Sequence, residues 1–219
     1  MQPYYYLKIC GLARSIDAEL AVTEGADFLG MVFHPGSKRC CTIEVAQEIK
    51  EKFASKPRVL VFAYDDYDYI LDIYTQLRDM LTFIQVPADH ESFEQLVDTL
   101  GISRVIPVVH VEKNFFSTDL EPLAAHSILI LDTPGFNQDG SKMAGGTGEI
   151  FDWQKVKDIE RPFLLAGGLR PENICEAIQT VAPFGFDVSS GIESEPGKKD
   201  SEKLQKFCQF ARESEVFCP

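Results

Sequence analysis

Apolar positions recur along this chain in two rhythms. Short runs rich in β-branched and aromatic residues alternate with longer stretches whose apolar residues return every three or four positions. The short runs predict strands near 4–9 (YYYLKI), 27–33 (DFLGMVF), 58–63 (RVLVFA), 82–86 (TFIQV), 104–109 (RVIPVV), 127–132 (SILILD), 162–166 (PFLLA) and 184–188 (FGFDV). The longer stretches predict helices near 15–25, 42–54, 66–80, 91–100, 119–125, 152–158, 171–181 and 200–213, the fifth being short and weak. Thr42 stands where an N-cap belongs, and Pro171 is expected in a first turn, where its missing N–H does no harm. Eight units of roughly 27 residues each suit compact βαβ crossovers. Eight such units close into a (β/α)8 TIM barrel, here a single domain over residues 1–219. The rival, an open doubly wound sheet, puts its special residues at one switch point; this chain has no G-x-G-x-x-G after its first strand, and its special residues follow many strands.

Composition narrows the classes of partner. A hydrophobic fraction of 45% supports a real core, and no apolar run approaches the ~20 residues that span a bilayer. No basic stretch followed by an apolar one opens the chain, so the expected compartment is the cytoplasm. A formal net charge of −13 argues against nucleic acid and anionic membrane as partners. An anionic small molecule must therefore be held by local features, an arginine or backbone N–H groups, against the field of the whole protein. The six cysteines, Cys10, Cys40, Cys41, Cys175, Cys208 and Cys218, form no C-x-x-C pair and no zinc spacing. In a cytoplasmic chain all six are expected as free thiols.

A barrel of this kind places its active site at the C-terminal ends of the strands, which makes the residue where each strand stops the informative one. Strand one stops at Cys10-Gly11, strand two runs into His34-Pro35-Gly36-Ser37-Lys38-Arg39, and strand six stops at Asp132-Thr133 before a loop carrying GGTG, 145–148. Strand seven runs into Gly167-Gly168 and strand eight into Ser189-Ser190-Gly191. Turns of that kind expose backbone N–H groups, and the loops after strands seven and eight often hold a phosphate. Asp132 closes an otherwise apolar run, so desolvation is expected to raise its pKa and suit it to general-acid work. Cys10 needs the opposite: a thiol ordinarily near 8.5 needs a nearby cation to be a thiolate at neutral pH. Period-two alternation puts Lys8 on the face of Cys10, and Asp187 on strand eight is the candidate partner for that lysine. A purely structural Lys8–Asp187 pair and one that tunes Cys10 both fit this pattern. The four histidines read as rim or surface residues.

The strand ends together resemble one family. KICGL (8–12), GADFLGMVFHPGSKR (25–39), LDT (131–133), GGTG (145–148) with FDW (151–153), FLLAGGLRPENI (163–174) and GFDVSSGIESEPGKKD (185–200) are similar, in order, to phosphoribosylanthranilate isomerases of tryptophan biosynthesis. The resemblance implies an Amadori rearrangement of N-(5-phosphoribosyl)anthranilate, a phosphorylated aminosugar, without cofactor or metal. It implies Cys10 as general base, Asp132 as general acid and Arg39 on the anthranilate carboxylate, with the phosphate on the turns that carry Gly146, Gly168, Ser190 and Gly191. A monomer or a homodimer is expected. The strand-four end departs from the family's Gln-Leu-His-Gly: Gln85 matches, but Pro87-Ala88-Asp89-His90 follows, so no role passes to His90. A related aminoaldose isomerase of the histidine pathway has an aspartate where Cys10 stands. Indole-glycerol-phosphate synthase needs a Lys–Glu pair that is absent. A non-catalytic sugar-phosphate-binding barrel would be free to lose Cys10 or Asp132, and both are kept.

Overall fold

The computed structural model describes residues 4–136, 142–143, 148 and 150–218. Its barrel strands are β1 Tyr6–Ile9, β2 Phe28–Val32, β3 Arg58–Val61, β4 Thr82–Pro87, β5 Val105–His110, β6 Leu129–Asp132, β7 Phe163–Leu165 and β8 Gly185–Val188. Each pairs in parallel with its neighbours in sequence, and β8 pairs with β1 to close the ring. The helices are α1 Ser15–Thr23, α2 Ile43–Lys52, α3 Tyr67–Leu77, α4 Phe93–Leu100, α5 Ile174–Val181, α6 Ser201–Arg212 and α7 Ser214–Phe217. The expected (β/α)8 barrel is therefore the fold.

Alternation along each strand divides the apolar residues between two cores. Leu129 and Leu131 pack outward against the helices, whereas Ile130 packs inside the ring with Val59, Ile106, Val108, Leu164 and Ala166. Both faces are covered, which is why these strands read as continuous apolar runs. Burying one such Leu or Ile side chain contributes about 1.5–3 kcal/mol, so the ring is stabilised from both sides. On β1 the same alternation sends Leu7 and Ile9 outward and leaves Lys8 and Cys10 on the inner face. Charged inward positions thus gather near the C-terminal mouth, above a dry apolar floor.

Side-chain N-caps start α2, α3 and α6. Thr42 caps α2 by accepting from the Val45 N–H at 3.3 Å, and Asp200 caps α6 by accepting from the Glu202 and Lys203 N–H groups at 3.0 Å. Two expected helices are instead short 3₁₀ segments, Ser117–Leu123 and Trp153–Lys155. Pro122 removes a helical N–H from the first, and the second is one turn anchored by buried Trp153 and Val156. Helix α5 begins at Ile174 rather than Pro171. Asn173 ties its approach by accepting from the Arg170 N–H at 2.9 Å and donating to the Gly168 carbonyl at 3.0 Å.

The expectation of six free thiols is corrected. Cys175 on α5 and Cys218 just after α7 form a disulfide across 43 residues, with Cα atoms 4.9 Å apart. The closing turn of α7 folds back onto α5 and brings the two thiols together, a contact that compartment and spacing do not reveal. Cys10, Cys41 and Cys208 are buried free thiols, and Cys40 is an exposed one.

Candidate active site

A cavity of about 690 Å³ opens at the C-terminal ends of the strands. Cys10, Arg39, Asp132, Gly168 and Ser190 all line it. Gly146 lies outside the described residues. Gly191 stands behind the wall, where a Cβ would come within 1.8 Å of the Leu169 carbonyl oxygen. Its lack of a side chain lets the loops after β7 and β8 touch backbone to backbone.

Cys10 is 8% exposed and follows β1 directly. Beneath it the Lys8 ammonium donates to both Asp187 carboxylate oxygens at 2.9 and 3.0 Å. The β1–β8 register sets these two residues opposite each other. Gly30 on β2 makes the space: a Cβ there would lie 3.1 Å from both the Cys10 Sγ and the Lys8 Nζ. Burial pushes the Cys10 thiol above its ordinary value, Lys8 pulls it down, and the Asp187 charge adds to the rise. Lys8 is wholly buried; burial alone would lower its pKa, but Asp187 and Cys10 hold it above the ordinary lysine value.

Asp132 ends β6, three strands around the ring from β1. Desolvation and the nearby Asp187 charge raise its pKa to about 7, against the opposing pull of the Thr133 N–H bond and of Lys8. That N–H donates to Oδ1 at 2.7 Å and fixes the carboxyl at the rim. The Lys8–Asp187 pair therefore acts on both titrating groups. At neutral pH the carboxyl is poised to give a proton.

Arg39 reaches the cavity from the loop after β2. Its Nε donates to the two Glu193 oxygens at 2.9 and 3.1 Å, and its Nη2 donates to Oε2 at 2.8 Å. Glu193 opens a short ribbon, Glu193–Glu195 paired with Lys198–Lys199. The buried Lys199 ammonium donates to Glu193 Oε1 at 3.0 Å and to the Ser189 carbonyl at 3.2 Å. Burial would raise the Glu193 pKa, but Arg39 and Lys199 together hold it below the ordinary carboxylate value. Gly11, at φ +73°, clears the path of the arginine stem, since a Cβ there would lie 2.7 Å from Arg39 Cδ.

The glycine turns have a steric basis. Gly167, at φ +84°, sits so close to Thr133 that a Cβ would fall 2.1 Å from its hydroxyl oxygen. Sequence reasoning missed three polar groups here, or left them in doubt. Gln85 Oε1, Thr133 Oγ1 and Ser189 Oγ are buried with no hydrogen-bond partner among the described residues, and all three residues line the cavity. Buried unpaired groups cost about 1–3 kcal/mol each, so three converging on one cavity point to a polar ligand. Thr133 and Ser189 directly follow strand ends, the one signal that marks them. On the opposite rim His34 meets Asp65 at 2.8 Å, and Tyr64 donates to Asp89 at 2.9 Å and stacks on His90. The His90 ring is engaged at both nitrogens, by the Asp65 carbonyl at 2.8 Å and the Ser92 N–H at 3.0 Å.

The chain is similar to known proteins both in sequence and in fold. Residues 7–210 match the family model described as N-(5'phosphoribosyl)anthranilate (PRA) isomerase. The chain is 35% identical over 214 residues to N-(5'-phosphoribosyl)anthranilate isomerase of Xylella fastidiosa, covering 95% of this chain and 92% of that one. It superposes on the crystal structure of phosphoribosyl anthranilate isomerase from Thermotoga maritima with a TM-score of 0.75, at 32% identity and with 95% and 99% of the two chains covered. It also superposes on a phosphoribosyl anthranilate isomerase in complex with reduced 1-(o-carboxyphenylamino)-1-deoxyribulose 5-phosphate, with a TM-score of 0.73, at 32% identity and with 95% and 99% covered. By sequence and by fold, the chain belongs to the N-(5'-phosphoribosyl)anthranilate isomerase family.

Proposed function

We propose that the chain isomerises N-(5-phosphoribosyl)anthranilate to 1-(2-carboxyphenylamino)-1-deoxyribulose 5-phosphate in tryptophan biosynthesis, with Cys10 as general base and Asp132 as general acid. The observation that carries this reading is their placement: a buried thiol and a carboxyl with a pKa near 7 line one cavity, over a shared Lys8–Asp187 pair. Asp132 gives its proton to the furanose ring oxygen, and the C1–O bond breaks as the nitrogen lone pair forms the Schiff base. The iminium acidifies the C2 proton, which the Cys10 thiolate removes. The resulting enolamine tautomerises to the ketone, so the iminium itself serves as the electron sink.

Arg39 holds the anthranilate carboxylate. The phosphate rests against the turns of Gly168 and Ser190, with Gly146 of the GGTG loop assigned to the same group. Ser189, Thr133 and Gln85 are available to the sugar hydroxyls or the phosphate. The enzyme acts on this small molecule as a monomer or homodimer in the cytoplasm. A net charge of −13 disfavours nucleic acid and anionic membrane, and among the described residues no helix is long and apolar enough to cross a membrane.

The test is an isomerase assay on freshly generated substrate, with Cys10→Ser and Asp132→Asn alongside. Turnover by the wild type and its loss in both variants is the expected result. Near-full activity in either variant would refute that residue's role. An inactive wild type that still binds inorganic phosphate would mark a binding barrel without chemistry.

A further inference from the structure

We infer that Glu193 is a positioning residue for substrate recognition: it aims the Arg39 guanidinium so that only its outer edge faces a substrate carboxylate. The inference rests on the function proposed above and adds to it the group that sets the geometry of the carboxylate site.

A guanidinium has five N–H donors in a planar fork. Glu193 takes the inner side, Nε and Nη2, in three contacts of 2.8–3.1 Å. That leaves the two Nη1 donors and one Nη2 donor, among which two parallel N–H groups match the spacing of a carboxylate. A free arginine on a loop would sample many rotamers; this one is held flat by an acid that is itself 4% exposed. Gly11 adds a second constraint by admitting the stem.

Charge is the reason for Lys199. A lone Arg39–Glu193 pair is neutral and would offer an anion little field. The buried Lys199 ammonium, 3.0 Å from Glu193, restores one net positive charge to the cluster in a chain of net charge −13. Lys199 and Lys203 also anchor Glu193 from below: Lys199 donates to the Ser189 carbonyl, and Lys203 donates to the Glu193 carbonyl at 2.8 Å. The ribbon after β8 is thereby tied to the loop after β2, and the fork is held from both sides.

The experiment compares wild type, Glu193→Gln, Arg39→Ala and the double variant. Calorimetry would follow binding of reduced 1-(o-carboxyphenylamino)-1-deoxyribulose 5-phosphate and, separately, of inorganic phosphate, and steady-state kinetics would split KM from kcat. Glu193→Gln adds positive charge to the cluster but weakens the charge-assisted bonds that aim the fork, so it is expected to raise KM and weaken the analogue by about tenfold or more, while phosphate binding holds. In the Arg39→Ala background the same change is expected to add less than about twofold, because no fork remains to aim. An equal loss with and without Arg39, or unchanged analogue affinity in a folded Glu193→Gln protein, would overturn the inference. Glu193→Asp covers a Glu193→Gln protein that does not fold. It keeps the charge beside Lys199 but shortens the reach to Arg39, so it must weaken the analogue and spare phosphate. A wild type that binds phosphate but not the analogue would instead overturn the function on which the inference stands.

Discussion

The two sides of the barrel mouth are built on different principles. On the side of β1, β6, β7 and β8, Cys10 and Asp132 stand one residue past a strand end and on one, and the ion pair beneath them is fixed by backbone register. Lys8 faces Asp187 because β1 and β8 pair residue for residue. Gly167 and Gly191 let backbones meet at distances that no side chain allows. On the side of β3 and β4, Tyr64 lines the cavity, donates to Asp89 and stacks on His90, whose ring meets the Asp65 carbonyl, and Tyr64 is 38% exposed. Burial raises the Cys10 thiol and the Asp132 carboxyl on the first side, while Asp187 and Cys10 hold the buried Lys8 above its ordinary value. The groups to which the proposed function assigns chemistry thus stand on the side the sheet controls.

That contrast is broken or sharpened by substitution on each side. The largest effect is expected for Cys10→Ser and Asp132→Asn, each lowering kcat by about 10²–10⁴-fold, the range of a lost general acid or base, as measured by steady-state kinetics. The pH profile of the wild type tests the same pair. With the thiol raised and the carboxyl near 7, a single proton at neutral pH sits mostly on Cys10, and the working form with thiolate and carboxylic acid is its minor tautomer. Below about pH 7 both groups are protonated and the base is lost. Accordingly kcat/KM is expected to rise through about pH 7 and to hold until the thiol titrates; a fall through pH 7 would contradict the assignment.

Stability should respond in the opposite sense. A carboxyl whose folded pKa is raised contributes stability below its unfolded value and loses it as pH rises through the folded one. Asp132→Asn is therefore expected to be more stable than wild type above pH 7 and equal to it below pH 4, as followed by urea unfolding at both pH values.

Next in size is Lys8→Met, which strands Asp187 beneath the cavity. A broken buried pair costs about 3–5 kcal/mol in urea unfolding, and replacing Asp187 with leucine as well should recover most of it. The same variant separates the two readings of that pair. Loss of the cation should move Cys10 alkylation to higher pH, whereas an unchanged titration would leave the pair a purely structural one. Gly191→Ala comes next, at about 1–3 kcal/mol or more, because its Cβ meets a backbone carbonyl that cannot retreat cheaply. The smallest effect belongs to the other rim. Tyr64→Phe removes one exposed bond to Asp89 and should cost no more than about 1 kcal/mol; a larger loss would mean that the loop-built wall bears on the core.

The barrel, its eight strands and the placement of Cys10 and Asp132 at its rim were readable in the sequence because each has a one-dimensional signature. Period two shows which residues share a face, and the last residue of a strand marks the rim, so Cys10, Lys8 and Asp132 were placed by counting. Thr42 as a cap is equally local. What counting misses is contact between distant segments. Arg39 was readable as a cation beside the site, but its capture by Glu193, and the balancing Lys199, depend on a ribbon that folds back over another loop. The hydroxyls of Thr133 and Ser189, unpaired among the described residues, became meaningful only once their surroundings were known. The Cys175–Cys218 disulfide corrected, for two of the six cysteines, an inference made from compartment and spacing. Sequence by itself determined the architecture and the chemical types at its mouth, because hydrogen-bond periodicity is written locally. The tertiary structure decided how each group is charged and where it points, because burial and electrostatic fields arise only when segments far apart in the chain pack together.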